Sequence, residues 1–249
     1  MKIAIVTVPY VSNDLHLTFT METIGSIKTQ HEVDLIGIVN HSREQGQEQI
    51  YFEENFDHLE YNDRNNLSRA WNKGIEIAVK RGADYVMVPN LDVIFNEHCI
   101  DNLVKFAEEH QDAIMWTGSE WENRETIKEA EWDESFDEHP HFSCFLVKND
   151  FVDRLGKVDV DKENKGRFDE QYEPAYNEDN DMHYRIKLAG EKALKTATAK
   201  FFHYGSRTIK SDHDLEVNNV RTHGQNNLKH VQKWGGMPGQ EVFKTPYNK

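Results

Sequence analysis

Asn90-Leu91-Asp92 follows the apolar run Tyr85-Val86-Met87-Val88, where a buried strand ends and opens into a cleft. Downstream, Glu178, Asp179 and Asp181 crowd the start of a short helical pattern. His203 comes one strand later, in Phe202-His203-Tyr204-Gly205-Ser206. A carboxylate at one strand end, an imidazole at another and an acid-loaded helix start point to a metal-assisted reaction on a phosphorylated donor. Each feature has a plainer reading on its own. Asp92 is then a strand-end cap, His203 a packed side chain among thirteen histidines, and the acidic cluster a set of helix caps.

Those residues need a scaffold, and the first half of the chain supplies an alternating one. Lys2 to Val8 is a short β-branched run of the kind buried on both faces of a parallel sheet. Leu15 to Thr29 follows as a helix, weakened by threonines and Gly25, and Val33 to Val39 as a second strand ending at Asn40. Leu67 to Arg81 is the clearest helix, with Ala70, Gly74, Ile77, Ala78 and Arg81 on one stripe and Gly82 at its C-terminal cap. Tyr85 to Val88, Ala113 to Thr117 and Phe142 to Val147 read as strands, and Glu97 to His110 as a helix. This order predicts an α/β fold with a mostly parallel sheet flanked by helices. Ligands on such sheets bind beyond the carboxyl ends of the strands, where Tyr10, Asn40 and Asp92 fall. Gly118 to Pro140 is acidic and irregular, and Trp121 and Trp132 within it suggest a loop that packs on an acceptor or on the domain. Asp159 to Gly166 reads as a solvated turn.

Composition narrows the partners. The chain of 249 residues suffices for one large domain, and 29 basic against 44 acidic residues give a net charge of −15. A surface of that sign disfavours nucleic acid and anionic membranes. Cys99 and Cys144 have no metal or redox spacing and are expected as buried free thiols. No apolar run approaches a membrane span and no signal-peptide pattern opens the chain, so a cytoplasmic location is expected.

Several segments in register resemble family 2 glycosyltransferases. Asn66-Leu67-Ser68-Arg69-Ala70-Trp71-Asn72-Lys73-Gly74-Ile75, Gly82-Ala83-Asp84-Tyr85-Val86 and Asn90-Leu91-Asp92 are similar to the family's donor half. Phe168-Asp169-Glu170, Glu178-Asp179-Asn180-Asp181-Met182, Arg185, Gly190 and His203-Tyr204-Gly205-Ser206 resemble its acceptor half in the right order. The resemblance implies a GT-A-like, Rossmann-like domain over residues 1–206. Its donor half would be 1–117 and its acceptor half 118–206, with a C-terminal extension over 207–249. Asn90 stands where the family commonly has Asp, and that Asn-x-Asp form is similar to the rhamnosyltransferase-like branch. Lys233-Trp234-Gly235-Gly236 is similar to bacterial and phage members.

Transfer from a nucleotide-sugar releases a nucleoside diphosphate, and a divalent ion stabilises its growing charge. The resemblance implies manganese or magnesium held by Asp92 and His203; imidazole suits manganese better than magnesium. It makes Asp179 the base that takes the proton of a saccharide or other acceptor hydroxyl, usually with inversion. Glu178 beside it would raise its pKa by like-charge repulsion, and Asp181 would cap the helix. Val8, Pro9 and Tyr10 are expected to line the base pocket. Asn40 would pair with the base edge, Asn66 and Asn90 would lie at the nucleotide, and Arg207, Lys210 and Arg221 would approach the diphosphate. Two other readings remain: a nucleotidyltransferase, although Val8-Pro9-Tyr10-Val11-Ser12 lacks a Gly- and Lys-bearing phosphate loop, and a non-catalytic carbohydrate-binding protein on a transferase scaffold, which would not need both Asp92 and Asp179.

Overall fold

Along β1 (Lys2–Thr7), Ile3 and Ile5 join one buried cluster while Ala4 and Val6 join another. Alternate side chains of a strand point to opposite faces, so both faces of this strand are covered. A computed structural model describes residues 1–11, 13–40, 47–131, 133–205 and 213–249. Its single sheet runs β3 (His58–Tyr61), β2 (Glu32–Val39), β1, β4 (Tyr85–Pro89), β8 (Cys144–Lys148), β6 (Met115–Trp121), β9 (Ala193–His203) and β5 (Val93–Phe95), with β7 (Phe136–Asp137) also on β9. β1 to β4, β6 and β9 run one way, and β5, β7 and β8 the other. The predicted α/β sheet with flanking helices is therefore present, with antiparallel strands concentrated on one side.

Helices α1 (Asp14–Gly25), α2 (Gln47–Asn55), α3 (Leu67–Lys80), α4 (Cys99–Glu109), α5 (Phe151–Val158), α6 (Glu178–Leu188) and α7 (His213–Trp234) complete the chain. The α3 stripe lies on the sheet through Ala70, Trp71, Gly74, Ile75 and Ala78. A Cβ on Gly74 would stand 2.1 Å from Val6 Cγ1, so the close approach of α3 to β1 requires glycine. Gly82, at φ 83°, reverses the chain after α3 in the left-handed conformation that glycine adopts without strain. Cys99 and Cys144 are buried free thiols. No described helix is long and apolar enough to cross a membrane.

Two segments depart from the sequence expectation. The Asp159–Gly166 region is not a solvated turn, because Asp159 and Asp161 are buried. Gly118–Pro140 is partly ordered: it begins inside β6, which also spans the expected boundary at 117, and it contains β7. Trp121 is committed locally, its Nε1 donating to Thr126 Oγ1 at 3.0 Å; Trp132 lies outside the described residues.

The buried charges explain why 159–181 fold inward. Lys233 of α7 places its ammonium 2.6 Å from Asp161, 2.7 Å from Asp169 and 2.7 Å from Asp181. Arg185 pairs with Asp159 and, at 3.2 Å, with Asp181. Trp234 Nε1 donates to Asp181 at 2.8 Å. Burial favours the neutral acid of Asp161, but Lys233 and hydrogen bonds to it outweigh that and hold its pKa at about 2. A depressed folded-state pKa contributes stability above the unfolded value near 4 that is lost as pH falls toward 2. Lys233→Ala is expected to destabilise the fold by about 3–5 kcal/mol in denaturant titrations, because it strands three buried carboxylates. The acid limb of the wild-type stability curve should flatten in that variant. A loss below about 1 kcal/mol would mean that the carboxylates relax into water or are protonated without penalty.

Candidate active site

The strand ends enclose a cleft of about 450 Å³, lined by Val8, Tyr10, Asn90, Asp92, Glu178, Asp179 and His203 among others. Sequence positions spread over almost two hundred residues thus meet at one opening. The β5–β9 register explains part of this. Val93 pairs with His203, so Asp92, one residue earlier, comes beside the imidazole. His203 Nε2 lies 3.1 Å from Asp92 Oδ1. The other ring nitrogen, Nδ1, is 2.6 Å from Glu120 Oε1 and 3.1 Å from Ser143 Oγ. Burial lowers the His203 pKa, but hydrogen bonds to Asp92 and Glu120 outweigh it and raise the value to about 9.

Across the cleft, α6 begins with the acids. Its N-terminus favours negative charge, yet Glu178 is buried and its Oε2 has no hydrogen-bond partner. Burial first, and the charge of Asp179 second, push the Glu178 carboxyl well above the ordinary range. Asp179 is half-buried in the cleft wall, and burial raises its pKa too; backbone N–H groups of Asn180 and Asp179 itself oppose the shift. The main cause for Asp179 is therefore desolvation and not the like charge of Glu178. Asp181 is not a helix cap; both its oxygens face the Lys233–Arg185 network. One hundred degrees per residue separates the two roles: Asp181 and Arg185 face the core, while Asp179 and His183 face the cleft.

Three expected nucleotide contacts, Pro9, Asn40 and Asn66, are not among the residues that line the cleft. Pro9 and Asn40 are buried, and the Asn40 N–H donates to the Pro9 carbonyl at 2.8 Å. Asn40 Nδ2 donates to Asn65 at 2.7 Å, and its Oδ1 accepts from Asn62 Nδ2 and the Asn66 N–H, both at 3.2 Å. Asn66 caps α3 by accepting from the Arg69 N–H at 2.9 Å, and its amide donates to Glu170 and Glu173. The amide nitrogen and oxygen of both asparagines thus already have protein partners. Arg221 is exposed on α7, and Arg207 and Lys210 lie outside the described residues.

His141, Glu120 and His183 were not singled out from the sequence. His141 Nε2 stands 3.2 Å from Glu120 Oε1, and its Nδ1 accepts from the Ser143 N–H at 3.4 Å. Burial lowers its pKa, and the charge of Glu120 opposes that shift. The spacing of Asp179 and His183, four residues apart on a helix, was a readable signal. Nothing in the sequence marks Glu120, which strand pairing delivers.

No family model matches the chain, and no curated protein matches it. Among solved structures, 537 chains match. One is the crystal structure of GalNAc-T7 with UDP, GalNAc and Mn2+, similar at a TM-score of 0.66 and 12% identity. The alignment covers 94% of this chain and 48% of that one, so the chain spans about half the length of its structural relative. The fold is that of a GT-A glycosyltransferase. On this fold, the Asp92–His203 pair offers one carboxylate oxygen and one imidazole nitrogen side by side, a donor set that fits a divalent ion. Glu120 on Nδ1 aims Nε2 at Asp92 as an outer-shell carboxylate does in histidine metal sites. Another acidic group, Asp161, Asp169 and Asp181, has oxygens within 4.8 Å of one another; the cation at its centre is the Lys233 ammonium.

In metal-free protein the His203 imidazole should titrate near pH 9, and Glu120→Gln should lower that midpoint. The pairing it supports is present below the ordinary histidine pKa of about 6.5 and fades as pH rises through 9. A His203 resonance in NMR that titrates at the ordinary value would show that the two carboxylates do not hold the ring.

Proposed function

We propose that the protein is a divalent-metal-dependent glycosyltransferase that moves a sugar from a nucleoside diphosphate to an acceptor hydroxyl with inversion. The observation that carries this reading is one cleft of about 450 Å³ lined both by the Asp92–His203 pair and by the desolvated Asp179. The GT-A fold and a structural relative holding UDP, GalNAc and Mn2+ support it. The family 2 resemblance of residues 1–206, divided into donor half 1–117 and acceptor half 118–206, is the finer form of the proposal.

Asp92 and His203 would hold manganese or magnesium, which when bound stabilises negative charge on the departing diphosphate. Val8, Tyr10 and Asn90 form the strand-end wall available to the nucleotide. Asp179 accepts the proton of the acceptor hydroxyl as the oxygen attacks the anomeric carbon and the bond from that carbon to the diphosphate breaks. A raised pKa makes Asp179 a stronger base than an exposed aspartate. Glu178, buried and disposed to stay protonated, keeps a second negative charge away from the reacting oxygen. Trp71, packed edge-on against Phe145 and Phe168 at 5.3 and 5.0 Å, makes the cleft floor rigid.

Asp179→Asn keeps size and most hydrogen bonding but removes the proton acceptor. It is expected to lower kcat by about a hundred- to ten-thousand-fold, with donor binding by calorimetry unchanged. Near-normal turnover would remove Asp179 as the base. Asp92→Ala should abolish manganese-dependent binding of a nucleoside diphosphate while circular dichroism stays native; undiminished binding would place the ion elsewhere.

A further inference from the structure

Tyr176 and Asn177 are consecutive non-glycine residues in the left-handed region, at φ 78° and 75°, directly before Glu178 and Asp179. Backbone of this kind persists only where its surroundings over-determine it, and it concentrates at functional sites. The Asn177 side chain makes no cap bond to a backbone N–H of α6; from that helix the turn has the Asp181 N–H on the Asn177 carbonyl at 2.9 Å and Asn180 Nδ2 on Asn177 Oδ1 at 3.4 Å. It is also held from α7. Asn226 is fully buried, and its Nδ2 lies 3.2, 2.9 and 3.3 Å from the carbonyl oxygens of Glu173, Ala175 and Tyr176. Its Oδ1 accepts from Lys229 at 3.0 Å, and that ammonium also donates to the Gln171 carbonyl. Asn227 Oδ1 accepts from Asn177 Nδ2 at 2.9 Å, and the His223 ring packs tilted against Tyr176 with centroids 4.9 Å apart. Ala175, Tyr176, Glu178 and Asp179 all line the cleft.

We propose that the C-terminal helix is a working part of the site: Asn226 and Asn227 are positioning residues that clamp the left-handed Tyr176–Asn177 turn and so place Asp179 and Tyr176 against the cleft. The clamp rests on geometry alone, and its consequence for turnover rests on the transferase reading. An amide is the side chain this clamp needs, because a carboxylate of the same shape has no donor for three carbonyls. A shift of about 1 Å at a reacting group costs on the order of a hundredfold in rate.

The experiment compares full-length wild type with Asn226→Asp and Asn227→Ala. Hydrogen–deuterium exchange reads the clamp without reference to any reaction. Amides of 173–180 should exchange about tenfold faster or more in Asn226→Asp, with β1 and β4 unchanged. Sugar transfer should show kcat lower by about 10- to 100-fold, while nucleoside diphosphate affinity stays within about threefold. Asn227→Ala should move both readouts in the same direction by less, and it serves if Asn226→Asp does not fold. Native exchange over 173–180 in a folded variant overturns the clamp. Faster exchange with wild-type kcat overturns the positioning role, and so does a loss of nucleotide affinity that matches the loss of kcat. Absence of transfer by the wild-type protein, with the exchange difference intact, removes the transferase reading and leaves the clamp standing.

Discussion

A buried lysine governs the second half of this molecule. Lys233, one per cent exposed by its side chain, is surrounded by three carboxylates that are themselves no more than 9% exposed. Taking such ions out of water costs several kcal/mol each, and the cost is offset only if every partner is present and well placed. Removing α7 would leave Asp161, Asp169 and Asp181 facing one another with Arg185 as their nearest cation. The interaction thus makes the helix an obligatory part of the domain and not an appendage. It also explains an acidic loop folding inward: Asp161 turns the chain back on itself, accepting from the Asn164 side chain and from backbone N–H groups, and offers its remaining capacity to the ammonium.

The same network sets the rotation of α6. Asp181 and Arg185 are bound on the core side, so the helix cannot turn about its axis without breaking buried ion pairs. With that face fixed, Asp179 has to project toward the cleft, two residues and about 200° away from Asp181. The strained turn before it is fixed independently by amide contacts from α7. The last helix therefore contributes to both the position and the orientation of the proposed base. The opposite wall is built differently. There, strand register places Asp92 beside His203, and Glu120 holds the imidazole from behind. One wall depends on a helix packed through buried charge, the other on hydrogen-bonded strands.

Much of the sheet was legible from residues. The β1, β2, α3 and β4 segments carry strong periodic or β-branched patterns, because a strand covered on both faces and a helix laid on it must be apolar where they touch. Asp92 and His203 stand out in sequence at strand ends and Asp179 at a helix start, and all three line one cleft. The short elements were not. β5 has three residues and β7 two, too few to show a period, and their identity comes from pairing with β9. Asn40 and Asn66 are ambiguous for a related reason. An asparagine at a strand end or a helix start looks the same in sequence whether it offers its amide to a ligand or to a neighbouring turn, and here both amides have protein partners.

The sequence by itself determined the layer order, the faces of α3 and the set of residue types that meet at the strand ends, since these follow from local periodicity and from turns that lie close in the chain. The tertiary structure alone decided that the acids of 159–169 are buried, that Glu120 stands behind His203, and that the last helix holds the turn carrying Asp179. Those facts depend on partners far apart in the chain, such as Asn177 with Asn227, 50 residues on, and Glu120 with His203, 83 residues on. A charged residue reads as solvated in sequence because water is its default partner. Only a folded chain that brings an opposite charge to the same buried point can reverse that preference.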